Sequence, residues 1–255
     1  MMRYEIAIPT FERYATINSQ TLALLARYNV PHSQIRIFIE NEAQLALYDL
    51  DDEYSIQITG AKGIMDTRNY LRHYYQESDL DFVVFLDDNL KEIIEKVDDK
   101  TVKNIADFDK LVMEMARTTK EVSMRLCGIC AADNPFFMKN KITTNLKYIC
   151  GNFQILIIDK TKPIILTDVG QFEDMVFSME HFLADGGVVR FMNYAVLTKY
   201  FQTGGQVSSE GGIEKRYEYM RKNAPYLVNK YPNMCREIIK KNYTNLRLNY
   251  HFKIP

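Results

Sequence analysis

The chain opens on a short apolar run, Tyr4–Ile8, that is stopped by Pro9-Thr10. Ile17, Leu22, Leu24, Leu25 and Tyr28 then recur at spacings that place them on one face of a helix. Ile35–Ile39 and Ser55–Ile58 read as strands, and Ile64–Gln76 as a helix with Ile64, Leu71 and Tyr75 along one side. Asp81-Phe-Val-Val-Phe-Leu86 is the strongest strand, and its unbroken apolar character predicts a central parallel strand covered on both faces. Alternation of this kind predicts βαβ units and an α/β fold with a doubly wound, mostly parallel sheet.

The second half is less regular. Helices are expected at Phe108–Lys120, Glu173–Ala184 and Ile213–Lys222, and strands at Met124–Ala131, Phe153–Ile158 and Val188–Phe191. Gln202–Gly212 carries four glycines and no apolar period, so a loop is expected there, serving either as a cover over a ligand or as an exposed turn.

Length and composition narrow the class. With 255 residues and 47% apolar side chains, the chain can bury one large core as a single domain, divided here into halves at 1–120 and 121–255. No apolar run is long enough to span a membrane, and the N-terminus lacks the pattern of a signal peptide. A cytoplasmic location is therefore expected, with no membrane partner. Cys127 and Cys130 form a CxxC, but on a strand these positions point to opposite faces, so packed, reduced thiols are expected together with Cys150 and Cys235.

Net charge is −1, yet residues 190–255 hold 12 Lys and Arg against 4 Asp and Glu, while the rest of the chain holds 20 against 29. The basic segment also carries eight tyrosines, among them Tyr217, Tyr219, Tyr226, Tyr231 and Tyr243. Two readings follow: a solvated basic face over core tyrosines, or a surface that neutralises phosphates and stacks on unpaired bases.

Chemistry concentrates where strands end. Asp87-Asp88-Asn89 follows the strongest strand, at the edge where open α/β sheets bind ligands. Hard oxygen ligands there suit Mg²⁺ or Mn²⁺ bridging a diphosphate, the alternative being an acidic turn. Gly60–Asn69 is a glycine-bearing loop leading into a helix, with Lys62 and Arg68 able to hold phosphate. Glu173-Asp174 opens a later helix, either as a capping pair or as a base that deprotonates a hydroxyl. His181 reads as a packed polar residue or a site residue.

The order strand–Pro9-Thr-Phe-Glu-Arg13–helix, strand–Glu40, strand–Gly60-to-Asn69–helix, strand–Asp87-Asp88-Asn89 resembles the N-terminal half of GT-A glycosyltransferases of the family 2 type, over about residues 4–90. That family carries a PTYNR strand end, a GxxxARN loop-helix and a DxD motif. The resemblance implies a nucleotide-sugar donor held by Pro9, Thr10, Arg13, Glu40, Lys62, Arg68, Asp87 and Asp88. It implies a metal ion on Asp88 and Asn89, with His251 at the position where many members place a metal-ligating histidine. Asn89 departs from the aspartate usual there, and Glu40 from the family's aspartate.

Cys127-Gly-Ile-Cys130, Tyr148–Gln154 and Gln171–Phe177 resemble the base-J glucosyltransferase and TET/JBP-associated glycosyltransferase group, many of them phage-borne. That resemblance implies transfer of glucose from UDP-glucose onto a 5-hydroxymethylpyrimidine, hydroxymethylcytosine or hydroxymethyluracil, in DNA. In a phage-encoded protein this would take place in the host cytoplasm. It implies Asp174 or Glu173 as base, and Asn152, Lys215, Arg216, Arg221 and Lys222 on the acceptor side. Two other readings stay open: a polysaccharide or protein acceptor, and a DNA-binding module on a degenerate transferase scaffold.

Overall fold

The structure, a computed structural model, describes residues 2–167, 171–199 and 204–254. Strand β1 (Tyr4–Pro9) leads into helix α1 (Tyr14–Ile17), a π turn at Asn18–Leu22 and α2 (Ala23–Arg27). Then come β2 (Ile35–Ile39), α3 (Glu42–Leu45), β3 (Ser55–Ile58), α4 (Gly63–Gln76) and β4 (Phe82–Leu86). The N-terminus of α3 is capped by Asn41, whose Oδ1 accepts from Gln44 N–H at 2.9 Å.

The chain continues through β5 (Glu92–Lys96), β6 (Val102–Asn104), α5 (Phe108–Glu121), β7 (Leu126–Cys130), β8 (Ile142–Thr143) and β9 (Phe153–Ile157). It closes with α6 (Glu173–Asp185), β10 (Val189–Leu197), α7 (Gly205–Ser209), α8 (Ile213–Lys230) and a hairpin of β11 (Cys235–Ile239) and β12 (Thr244–Leu248).

Among the described residues, ten strands form one sheet in the order β3-β2-β1-β4-β9-β7-β10-β5-β6, with β8 on β10. The first four are parallel, with Ile6 opposite Ile35 on one side and Val84 on the other. The chain runs from β1 outward to β3 and returns to the far side of β1 as β4, so strand order reverses between β1 and β4. That reversal opens a crevice at their carboxyl ends. Beyond β4 the directions mix: β9 runs antiparallel to β4 and β7, and β10 parallel to β7.

Alternation along β1 and β4 buries both faces. Ile6, Ile8, Val84 and Leu86 pack with Leu22, Leu24 and Leu25 and with Leu111, Val112 and Met115 of α5. Ala7, Val83 and Phe85 face Leu71 and Tyr75 of α4. A second core joins Val176, Phe177 and Phe182 of α6 to Ala224 and Leu227 of α8 and to Leu246 and Leu248 of the hairpin. The expected α/β, doubly wound arrangement is present.

Several elements differ from the expectation. α8 runs on past Lys222 to Lys230, carrying Pro225 at an exposed position. The segment expected as a loop contains α7, which packs onto the crevice; its first two expected residues, Gln202 and Thr203, lie outside the described residues. Cys127 and Cys130 are buried and unbridged, in clusters on opposite faces of the sheet, as the pleat of β7 dictates.

Candidate active site

Thr10 follows β1, and its N–H donates to the Phe38 carbonyl at 3.0 Å, which keeps the turn against the sheet. Its hydroxyl donates to Asp88 Oδ2 at 2.7 Å and lies 2.9 Å from the Tyr48 hydroxyl. Arg13 Nη1 stands 2.5 Å from Asp88 Oδ1. Asp88 is only 3% exposed, and burial raises its carboxyl to about 6 against the pull of Arg13. Burial likewise pushes the Tyr48 hydroxyl up to about 12. Sequence reasoning did not single out Tyr48, because it lies in the loop after α3 and carries no motif.

Pro9, Thr10, Arg13 and Glu40 line one cleft of about 230 Å³ together with Arg68, Asp87, Asp88, Asn89, Asn152, Glu173 and Asp174, and it opens to solvent. Thus residues expected on the donor side, the acceptor side and the catalytic helix converge there. Lys62 does not line it: it precedes the first turn of α4 with an exposed side chain, and the wall there is made by Ala61, Gly63, Ile64 and Thr67.

Arg68 lines the cleft with its guanidinium already engaged. Its Nη2 donates to Asp87 Oδ1 at 3.1 Å and to the Gly151 carbonyl at 2.9 Å, and its Nε stands 3.1 Å from Glu173 Oε1. Arg72 Nη2 lies 3.6 Å from the other Glu173 oxygen, and its guanidinium sits 3.7 Å over the Phe177 ring. A Cβ at position 151 would fall 2.5 Å from Arg68 Nη2, so only glycine lets this guanidinium reach its partners. From the cleft wall it ties Asp87, just after β4, to Glu173 on α6. Burial raises Glu173 to about 7, with Arg68 and Arg72 opposing.

The two acids at the start of α6 differ in their surroundings. Glu173 lines the cleft but is 5% exposed, beside the guanidiniums of Arg68 and Arg72. Asp174 lines the cleft, where its Oδ2 accepts from the Tyr148 hydroxyl at 2.6 Å and the Gly151 N–H at 3.2 Å, and its Oδ1 from Met175 N–H at 2.9 Å. Phe172, just before them, adopts the left-handed conformation at φ +70°, a strained placement for an aromatic residue that sets the entry of the helix. Tyr148 is half-buried, and its hydroxyl is held protonated by its desolvation and by the neighbouring Asp174.

Across the cleft, Gly205 N–H donates to the Phe11 carbonyl at 2.7 Å, and Gln206, Val207 and Ser209 of α7 line the wall. Of the four basic residues expected on the acceptor side of α8, only Arg216 lines the cleft. The reason is helical spacing: Arg216 shares a stripe with Met220, Ala224 and Leu227, which are buried, while Lys215, Arg221 and Lys222 lie off it and are exposed. Tyr217 stacks on Tyr243 with centroids 5.2 Å apart, and Tyr231 is buried with its hydroxyl on Glu180, so part of the tyrosine excess is packing. Tyr219 and Tyr226 are exposed.

Of the residues expected to hold a metal, Asp88 and Asn89 line the cleft together and His251 does not. His251 is exposed near the C-terminus and does not line the cleft, and Asp88 has both oxygens engaged. No group of three His, Cys, Asp or Glu suited to a metal occurs among the described residues. Two oxygens do suit a divalent ion that keeps waters and bridges substrate phosphates. Asn89 lines the cleft with a buried Oδ1 that has no hydrogen-bond partner among the described residues, and the Asp87 carboxylate is 34% exposed. His181 is packed, its Nδ1 3.3 Å from Asp185 and its ring against Phe177, and burial lowers it to about 4.

No family model and no curated protein matches the chain. Solved structures do. TarS of S. aureus, residues 1–349, is 16% identical with a TM-score of 0.49, covering 89% of this chain and 66% of that one. The mannosyltransferase PcManGT from Pyrobaculum calidifontis, in complex with GDP-Man and Mn²⁺, is 10% identical with a TM-score of 0.56, covering 89% and 64%. The chain thus spans just under two thirds of either protein's length. The fold is the GT-A type glycosyltransferase fold. No helix among the described residues is long and apolar enough to cross a membrane.

Proposed function

We propose that the chain is a glycosyltransferase that moves a hexose from a nucleotide sugar, with Asp174 as base. The observation that carries this reading is the placement of Asp174 in the same cleft as Thr10, Arg13, Asp87 and Asp88, at the switch point of a GT-A fold. Asp174 takes the proton of an acceptor hydroxyl as its oxygen bonds to the anomeric carbon. The bond from that carbon to the diphosphate breaks, and the nucleoside diphosphate leaves. Tyr148 and the Gly151 N–H hold the carboxylate in place. Asp87 and Asn89 are the residues that would hold Mg²⁺ or Mn²⁺, which supplies charge neutralisation to a departing diphosphate.

For the donor we propose a UDP-sugar, UDP-glucose first, and for the acceptor a 5-hydroxymethylpyrimidine in DNA. Support comes from the motif resemblance and from the +8 balance of residues 190–255, of which Arg216 reaches the cleft and Lys215, Arg221 and Lys222 lie on the outer face of the same helix. A target base would have to leave the duplex stack to meet a donor in a cleft.

The test is to incubate the protein with a panel of nucleotide sugars and DNA containing hydroxymethylcytosine or hydroxymethyluracil, then weigh the released nucleosides by mass spectrometry. A hexose mass on the modified nucleoside is the expected result. Nucleotide-sugar hydrolysis without DNA modification would remove the DNA acceptor and leave polysaccharide or protein. Absence of both would remove the transferase.

A further inference from the structure

The two acids that the strand-end motif offers to a cation already have one each. Arg68 sits on Asp87 at 3.1 Å and Arg13 on Asp88 at 2.5 Å. The second Asp88 oxygen accepts from Thr10, and the residue, at the cleft wall, is almost wholly buried, so both oxygens are already engaged. Arg13 lines the cleft wall with a side chain that is 14% exposed, against 8% for Arg68.

Arg13 is also held in place from the far side. A Cβ on Gly204 would lie 2.6 Å from Arg13 Cγ, and one on Gly205 would lie 3.0 Å from Nη2, so the entry to α7 packs directly along the side chain. Both glycines have positive φ, at +85° and +58°, a backbone that permits this approach. A guanidinium carries five donors in a planar fork that matches phosphate oxygens, and Asp88 engages one nitrogen of it. Lys199 and Arg216 line the same cleft and add positive charge around it.

We propose that Arg13 is the built-in counter-ion for the donor diphosphate, so that a nucleoside diphosphate binds this cleft without a divalent cation. The inference rests on the nucleotide-sugar reading of the site and concerns binding of the diphosphate, whatever an ion at Asp87 and Asn89 adds to the transfer step. Asp88 orients Arg13, and the α7 glycines keep it from swinging away.

The experiment is calorimetric titration of UDP and of GDP into the full chain, in EDTA and again in Mn²⁺. The wild-type dissociation constant should agree between the two conditions within about three-fold, whereas a metal-held diphosphate would lose far more. Arg13→Ala should weaken binding in EDTA by about ten-fold or more, the range of a charge-assisted contact. Because that change strands a buried carboxylate, Arg13→Ala is paired with Arg13→Ala/Asp88→Asn, which leaves no unpaired charge, and thermal melts confirm folding of each. The same loss of affinity in the folded double variant supports the inference. Wild-type binding that collapses in EDTA, or a folded double variant that binds as well as wild type, overturns it. Failure of both nucleotides to bind under either condition overturns the transferase reading instead.

Discussion

The wall contributed by β1, β2 and β4 and the wall contributed by α6, α7 and α8 face one another across a single cleft, but they are held by different means. The first hangs from parallel strands whose registers are set by backbone pairing and by side chains buried on both faces, so Thr10, Glu40 and Asp87 emerge at one edge as a consequence of the sheet. The second depends on individual contacts: a left-handed Phe172, the Tyr148 hydroxyl on Asp174, and the Arg68–Glu173 pair. A strand-borne wall keeps its shape when one contact is lost, and a contact-borne wall does not. Function on the second wall should therefore be the more sensitive to single substitutions.

Breaking the second wall at its reactive group should have the largest effect. Asp174→Asn should lower the transfer rate by about 10²–10⁴-fold, the range of general-base catalysis, while leaving UDP affinity unchanged in calorimetry. A rate within a few fold of wild type would show that another group takes the proton.

Breaking the tie between the walls comes next. Arg68→Ala leaves Glu173 on Arg72 alone and Asp87, a third exposed, without its ion pair, and should cost about 1.5–3 kcal/mol of stability in denaturant unfolding. Adding Glu173→Gln should return part of that, because one incompletely paired buried charge is removed. Equal losses in the single and double variants would mean that the two side chains are not coupled.

The same pair gives a pH dependence. Glu173 stands at about 7 in the folded protein against an ordinary 4.5, so the folded state holds the proton more tightly than the unfolded chain. Its stabilising contribution is complete below the ordinary value and is lost as pH rises through about 7. Glu173→Gln should therefore show a smaller fall in Tm than wild type on passing from mildly acidic to mildly basic buffer. Parallel melting curves across that interval would contradict the assignment.

The smallest effects sharpen the acceptor side. Arg216→Glu, within the cleft, should raise the KM for DNA more than Lys215→Glu, Arg221→Glu and Lys222→Glu combined on the outer face. The triple variant should chiefly lower the salt dependence of binding, since each neutralised phosphate contributes about −0.9 to the log–log slope on duplex DNA. Identical salt slopes for wild type and triple variant would make that face a solvated one.

This difference between the walls also explains what could be read from the residues alone. Phe82–Leu86 declares itself by an unbroken apolar run, and with it the position of Asp87 and Asp88. By contrast, β11 reads Cys-Arg-Glu-Ile-Ile, with its two charged residues and Ile239 exposed, so no period marks it as a strand. α7 is five residues long and starts from two glycines, and propensity argues against a helix there. The Thr10–Asp88 contact spans 78 positions and the Tyr148–Asp174 contact 26, and neither leaves a local trace. Arg68 was legible as a site residue because its motif placed it on α4, but which way its guanidinium turns depends on Gly151 having no side chain. His251 shows the converse: its position near the C-terminus suggested a role in the site, and after the hairpin it does not line the cleft.

Asp87, Arg68, Glu173 and Arg72 alternate in sign in one series, which draws three members from the first half of the chain, at the end of β4 and on α4, and its fourth from α6 in the second half. The two halves are consequently poor candidates for grafting. A chimaera that joined residues 1–120 to the second half of another transferase would inherit three of these charges without the fourth, and without the bare backbone at Gly151 that admits Arg68. Exchange of acceptor preference by swapping halves would succeed only where residues 151 and 173 travel with their partners, so the useful unit of transplantation here is the charge series, not the segment boundary.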